Sequence, residues 1–171
     1  MLKLFNLSNH EIDLGKFRFN HTRLQAFIEK FGFDGIELIQ NDEWKKEHMP
    51  AHYVKGMHMR FWPVWLDFWN GDKDLLLRQF GSMEAVRHYY GGDNREAMVG
   101  WYKKEIATAV KLKAKYVVFH ISHVLPEHCF NYKFTYTDKE VVKAGIELLN
   151  EVMEGVSAEF HLLVENLWWR G

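Results

Sequence analysis

The sequence predicts an α/β fold, a parallel (β/α) barrel of TIM type of which about five of the usual eight strands are present. Short apolar runs rich in β-branched and aromatic residues alternate with segments whose apolar residues recur at helical spacing. Strands that alternate with helices pair in parallel. Three of the apolar runs deliver a histidine or a glutamate at their carboxyl ends, which is where barrel enzymes build their sites.

Each element follows from local pattern. Four helices are predicted from their start signals: the N-caps Thr22, Asp72 and Ser82, and the capping box of Thr137 and Glu140. Two more are predicted from Glu43 to His48 and over residues 94–113. The segment from Leu125 to Tyr136 is predicted to be a loop. The five strands are expected at residues 2–7, 33–39, 54–61, 116–120 and 160–164.

The length fits one domain over residues 1–171. A complete barrel needs about 250 residues, and this sequence stops directly after its fifth strand. We therefore expect a truncated chain, the N-terminal part of a barrel; a genuine five-stranded open domain is the alternative. Open sheet edges beside the first and fifth strands predict self-association.

Composition narrows the function classes. Hydrophobic residues make up 47% and charged residues 26% of the chain, and the formal net charge is −1. No basic stripe is visible, so a nucleic-acid partner is not expected. Cys129 is the single cysteine, which precludes an intramolecular disulfide and fits a reducing cytoplasm. No signal peptide and no apolar run of membrane-spanning length is present, so no membrane partner is expected and a cytoplasmic location is predicted.

Three strand-end residues form the candidate metal site. His58 follows the third strand's apolar core, His120 ends the fourth strand, and Glu165 ends the fifth. Imidazole nitrogen together with carboxylate oxygen suits Zn, Mn, Fe or Co. Each histidine alone is more simply a satisfied core or rim residue. Three ligand-type residues at three consecutive strand ends instead favour a shared metal.

Further residues near the strand ends are candidates for substrate contact. His123, three residues after His120, either supports that histidine, contacts substrate or lies on a surface loop. Glu37 lies mid-strand, where it points into the barrel mouth or pairs with a cation. Asn166 is a strand-end amide that orients a substrate hydroxyl or forms a turn. Trp62 and Trp65 follow His58 and are predicted as pocket walls, with core packing as the alternative.

Four motifs together resemble one family. GIELI on the second strand, KGMHMRFWPVWLDFW around the third, KYVVFHISH on the fourth and LLVENLWW on the fifth resemble the sugar phosphate isomerase/epimerase superfamily. This group of xylose isomerase-like TIM barrels also contains the metal-dependent apurinic endonucleases. The resemblance spans the chain and the first five of the family's eight strands. Two histidines and a Glu-Asn pair at successive strand ends, in this order, are characteristic of the family. The GIEL motif alone is weak evidence for it.

The resemblance implies roles residue by residue. Glu165 matches a glutamate that binds the metal and, in the epimerase branch, also acts as an acid/base. His58 and His120 match histidines that bind zinc in the endonuclease branch and contact substrate in several epimerases. The implied cofactor is a divalent metal (Mn, Zn, Co or Mg), and the implied partner is a sugar or polyol substrate. The family's ligands on strands six to eight, and the second acid/base, have no counterpart here.

The implied activity is isomerisation or epimerisation by proton transfer alpha to a carbonyl, expected of the full-length protein. Two alternatives stay open. One is phosphodiester cleavage like that of the apurinic endonucleases, which the near-neutral charge disfavours. The other is a non-catalytic barrel fragment.

Overall fold

The computed structural model describes residues 1–41, 43–157 and 159–165. Within them the chain forms an α/β fold with one five-stranded, all-parallel sheet, in the order β1-β2-β3-β4-β5. The parallel α/β class is therefore confirmed. The strands are β1 (Leu4–Ser8), β2 (Gly35–Ile39), β3 (Val54–His58), β4 (Tyr116–His120) and β5 (His161–Glu165).

Eight helices connect the strands of the described chain. Two of them are long, with 18 and 16 residues, and a three-residue 3-10 turn (Ala51–Tyr53) precedes β3. The helices are α1 (Glu11–Lys16), α2 (His21–Phe31), α3 (Leu66–Asn70), α4 (Lys73–Phe80), α5 (Met83–Tyr90), α6 (Arg95–Leu112), α7 (His128–Asn131) and α8 (Asp138–Met153).

Contacts cluster into two compact units. Among the described residues, the first comprises Met1–Arg60, Glu105–Phe119 and Ser157–Val164, and the second comprises Phe61–Lys104, His120–Val156 and Glu165. Helix α6 and strands β4 and β5 contribute residues to both units.

In the first unit, alternation along the strands separates an apolar face from a polar one. Five side chains on one face are exposed by 1% or less: Ile36, Leu38, Met57, Val117 and Phe119. The intervening residues of β2, β3 and β4, which include Glu37, His58 and Tyr116, project from the opposite face because successive side chains of a strand alternate.

The second unit has an aromatic core. Trp62 packs edge to face on Tyr102, with ring centroids 5.2 Å apart, and Phe68 stacks on Tyr90 at 4.1 Å. The Tyr90 hydroxyl donates a hydrogen bond to the Val64 carbonyl. Trp62, Phe68 and Tyr90 are all buried, so these rings act as packing material.

Capping chemistry explains most helix starts. Asp72 and Ser82 accept hydrogen bonds from the backbone of Leu75 and Ala85, as predicted. The capping box of Thr137 and Glu140 is also confirmed. The prediction at Thr22 was wrong by two residues, because the Asn20 side chain accepts from Thr22 and Arg23 and caps α2.

Other helix predictions were wrong in detail. Helix α1 was not predicted, residues 43–48 are irregular with a turn at 46–48 instead of a helix, and helix α7 lies inside the predicted loop. In β5, which lies at one end of the strand order, Leu163 and Val164 are 44% and 53% exposed. No described helix combines the length and apolar character that crossing a membrane would need.

Candidate metal centre

The carboxyl ends of β3, β4 and β5 each present one ligand-type side chain. His58 is the last residue of β3, His120 the last of β4 and Glu165 the last of β5. Parallel pairing sets His58 beside Val118 across β3 and β4. His120 is two residues beyond Val118, so it projects from the same face of the sheet as His58.

The structure brings these three predicted ligands together. One ligand atom from each of His58, His120 and Glu165 lies within 4.8 Å of the other two. Donors bound to one ion at about 2.0–2.2 Å lie about 3–4 Å apart, so side-chain adjustments of roughly 1 Å would complete a shared shell. The residues present therefore fit a metal by both position and chemistry.

Burial differs across the three ligands. His120 is 8% exposed, His58 is half-buried, and Glu165 is exposed. The ring of Phe61 packs on the His120 imidazole with centroids 4.9 Å apart, which fixes the ring of this buried ligand. Two imidazole nitrogens and one carboxylate oxygen suit Zn, Mn, Fe or Co, and three protein ligands leave open positions for water or substrate.

Glu37 is held by a tyrosine on another strand. The Tyr116 hydroxyl donates a 2.5 Å hydrogen bond to Glu37 Oε2, and the two residues flank Gly56 in register across β2, β3 and β4. Burial and this hydrogen bond raise the pKa of Tyr116 above its usual value. Glu37 thus lies on the face that carries His58, and its partner is a phenol where the sequence had suggested a lysine or arginine.

His123 belongs to a buried polar cluster. The Leu66 amide donates to His123 Nδ1 at 3.1 Å, which leaves the proton of the neutral ring on Nε2. That nitrogen lies 3.9 Å from Asp67 Oδ2, beyond hydrogen-bonding distance. Burial lowers the pKa of His123 to about 4; the Asp67 charge opposes this shift and His128 adds to it. His123 is therefore uncharged at neutral pH, and its surroundings account for it as a packing and capping residue.

Asp67 is the centre of this cluster and was not predicted. It is fully buried, and its carboxylate accepts from the Tyr136 hydroxyl at 2.6 Å and from Gln79 Nε2 at 2.5 Å. Burial and the Asp67 carboxylate raise the pKa of Tyr136 to about 12, with burial the larger cause. A signal was present in the sequence: one acid inside the apolar run WPVWLDFW must find donors if the run is buried.

The remaining predicted site residues fall elsewhere. Trp62 and Trp65 are 1% and 3% exposed, and their indole N–H groups donate to the carbonyls of Tyr89 and Ser122. Packing in the second unit accounts for both rings, so their predicted role as pocket walls gains no support from their positions. Asn166 lies outside the described residues.

Comparison with protein-family models, with curated proteins and with solved structures found no match. The superfamily resemblance carried by the strand-end motifs therefore stays a prediction.

Proposed function

We propose that this chain has a TIM-type barrel architecture and isomerises or epimerises a sugar or sugar phosphate, with a divalent metal as cofactor. The observation that supports the proposal is the convergence of His58, His120 and Glu165, whose ligand atoms lie within 4.8 Å of one another. The resemblance of the strand-end motifs to the isomerase/epimerase superfamily also supports the proposal. The reaction is proton transfer alpha to a carbonyl.

Each residue of the triad has a distinct task. His58 and His120 bind the metal through imidazole nitrogens, which are common metal ligands in proteins. Glu165 contributes a carboxylate oxygen, and its exposure leaves it accessible to a substrate proton. When bound, the metal supplies Lewis-acid polarisation of a carbonyl oxygen.

Glu37 is proposed to contact substrate on the same face of the sheet. Because Tyr116 donates to Oε2, the other carboxylate oxygen remains an acceptor for a substrate hydroxyl. The hydrogen bond also fixes the direction of the Glu37 side chain. This arrangement suits a neutral hydroxyl-bearing substrate.

Metal analysis of the purified chain tests the proposal. After loading with Mn²⁺ or Zn²⁺ and desalting, we expect about one metal per chain, and no stoichiometric metal in His120→Ala. His88→Ala is the matched control, since His88 is exposed on α5. Absence of stoichiometric metal in the unaltered chain, or equal uptake by His120→Ala, would eliminate the metal site and with it the proposed mechanism.

A metal-dependent phosphodiesterase is the second candidate, because the same His, His and Glu set suits zinc. The net charge of −1 disfavours it, since binding duplex DNA depends on Lys and Arg contacts with phosphates. Cleavage of a duplex that carries an abasic site, without proton exchange on any sugar, would favour this candidate. We propose a cytoplasmic location in either case.

A further inference from the structure

A cavity of about 740 Å³ lies within the second unit, among residues that the proposed metal site does not use. Small-molecule sites typically measure about 300–1,000 Å³ and are mostly apolar with a few polar groups. Apolar walls open to solvent are a recognised mark of binding surfaces. The apolar lining is formed by Pro63, Val64, Leu75, Phe80, Leu125 and Pro126.

The walls of this cavity are held in place by hydrogen bonds. One wall is helix α4, which Asp72 caps at its start and Gly81 ends in the left-handed conformation. The facing segment is fixed by the Val124 amide, which donates to the Pro63 carbonyl at 2.7 Å. The Leu125 amide donates to the buried His128 ring at 3.1 Å. The cavity is therefore formed before any ligand arrives.

Two charged side chains line the cavity. Arg78 projects from α4, and its guanidinium makes no ion pair or hydrogen bond with another residue of the described chain. An unpaired guanidinium beside an apolar cavity is complementary to a carboxylate. Glu127 also lines the cavity. Its negative charge disfavours a dianion such as a phosphate monoester, so a single negative charge fits best.

Gln79, in the same wall of the cavity, has a hydrogen-bond acceptor that a ligand could satisfy. Its Nε2 donates to the buried Asp67 carboxylate at 2.5 Å, which fixes the orientation of the amide. Its Oε1 is then a buried acceptor without a hydrogen-bond partner among the described residues. Leaving such an acceptor unsatisfied is costly, and because Gln79 lines the cavity, a ligand N–H group that reaches this oxygen would satisfy it.

We propose that this cavity binds a small amphipathic monoanion, with an apolar chain against Leu75, Phe80 and Leu125, a carboxylate at Arg78, and an N–H group toward Gln79. N-acylated amino acids have this chemistry. The site lies within one unit and needs no metal. Whether it binds this ligand therefore does not depend on the proposed isomerase activity.

Cys129 makes the proposal measurable. It lines the cavity, it is exposed, and it is the single cysteine of the chain. The probe is N-octanoylglycine below its micelle concentration, and the measurement is the rate of Cys129 alkylation by iodoacetamide, followed by intact mass. We expect saturable protection of at least fivefold, unchanged by EDTA. Octyltrimethylammonium and octyl phosphate at the same concentration should protect much less.

Arg78→Gln should raise the concentration for half-maximal protection by about tenfold, which is the loss of one charge-assisted contact. Arg87→Gln is the control, because Arg87 is also exposed but pairs with Asp93 and does not line the cavity. The proposal is overturned if N-octanoylglycine does not protect Cys129. It is equally overturned if Arg78→Gln leaves protection unchanged, or if either comparison probe protects better.

Discussion

The Tyr116 hydroxyl reaches the Glu37 carboxylate at 2.5 Å by passing over Gly56, which lies between them in the sheet. A Cβ atom at position 56 would lie 2.1 Å from Cζ of the Tyr116 ring. The glycine is thus required by the phenol, and the phenol is positioned by the carboxylate. Three neighbouring strands are linked by this row.

Gly56→Ala should lower the free energy of unfolding by about 1–3 kcal/mol, the usual cost of overpacking a fixed site. Urea denaturation provides the measurement. Gly100→Ala is the control: it lies in α6 with nothing within 4 Å of a new Cβ, so it should be neutral or slightly stabilising. Adding Tyr116→Ala to Gly56→Ala should relieve the clash, and a double variant whose two losses simply add would contradict this account.

Tyr136→Phe should destabilise the chain by about 1–3 kcal/mol, because it removes a donor from a fully buried carboxylate. Thermal and urea unfolding both report the loss. Tyr132→Phe serves for comparison, since Tyr132 is 67% exposed. Equal stabilities for the two variants would mean that Asp67 does not depend on this hydrogen bond.

His123 should make stability depend on pH in the acid range. Its pKa is lowered to about 4 in the folded chain from 6.5, so the unfolded chain binds more protons between these values. The stability that His123 contributes is complete above pH 6.5 and is lost as the pH falls toward 4. Because a pKa difference of one between the folded and unfolded chain is equivalent to about 1.4 kcal/mol, the expected loss is about 3 kcal/mol.

The comparison that isolates this effect is His123→Asn, which retains an acceptor for the Leu66 amide. Its free energy of unfolding should vary less between pH 4 and pH 7 than that of the unaltered chain. His88→Asn, at an exposed position, should leave the pH dependence unchanged. A His123→Asn curve parallel to that of the unaltered chain would show that another group titrates.

Glu165→Gln should slow proton exchange at the carbon alpha to a carbonyl by about 10²–10⁴-fold if Glu165 is the acid/base. The assay incubates the metal-loaded chain with ketoses and aldoses in D₂O and follows deuterium incorporation by NMR. Glu159→Gln, an exposed carboxylate two residues before β5, should exchange normally. Undiminished exchange in Glu165→Gln would assign the proton transfer to another group.

Val164→Lys should weaken self-association, because Val164 is 53% exposed on an outer strand of the sheet. Sedimentation velocity over a range of concentrations measures the effect. The matched control is Val142→Lys on α8, where a valine is 46% exposed on a helix. A chain that is monomeric before any substitution would refute association through this edge.

Sequence patterns predicted those elements whose formation depends only on residues close together in the sequence. Strand β4 begins and ends as predicted because four β-formers lead into His120, and the capping box at Thr137 needs no distant partner. Helix α1 escaped prediction because it has six residues and depends on the His10 side chain as its cap.

The residues of the candidate site could likewise be predicted only in part. His58, His120 and Glu165 could be predicted because strand ends in a parallel sheet meet at one edge. His123 could not be separated from them by residue type. Its role follows from Asp67 and Leu66, nearly 60 residues away in sequence, and from burial that no local pattern encodes.

Because side chains alternate along β3, the position of His58 depends on the register in which this strand pairs. A slip of one residue against β4 would turn His58 to the apolar face and Met57 to the polar face, since side chains alternate along a strand. The same slip would move Gly56 from beneath the Tyr116 ring and leave a Cβ there. A misregistered chain would therefore lose the proposed metal site and also gain a steric clash, so metal uptake during refolding would count the molecules whose strands have paired in the native register.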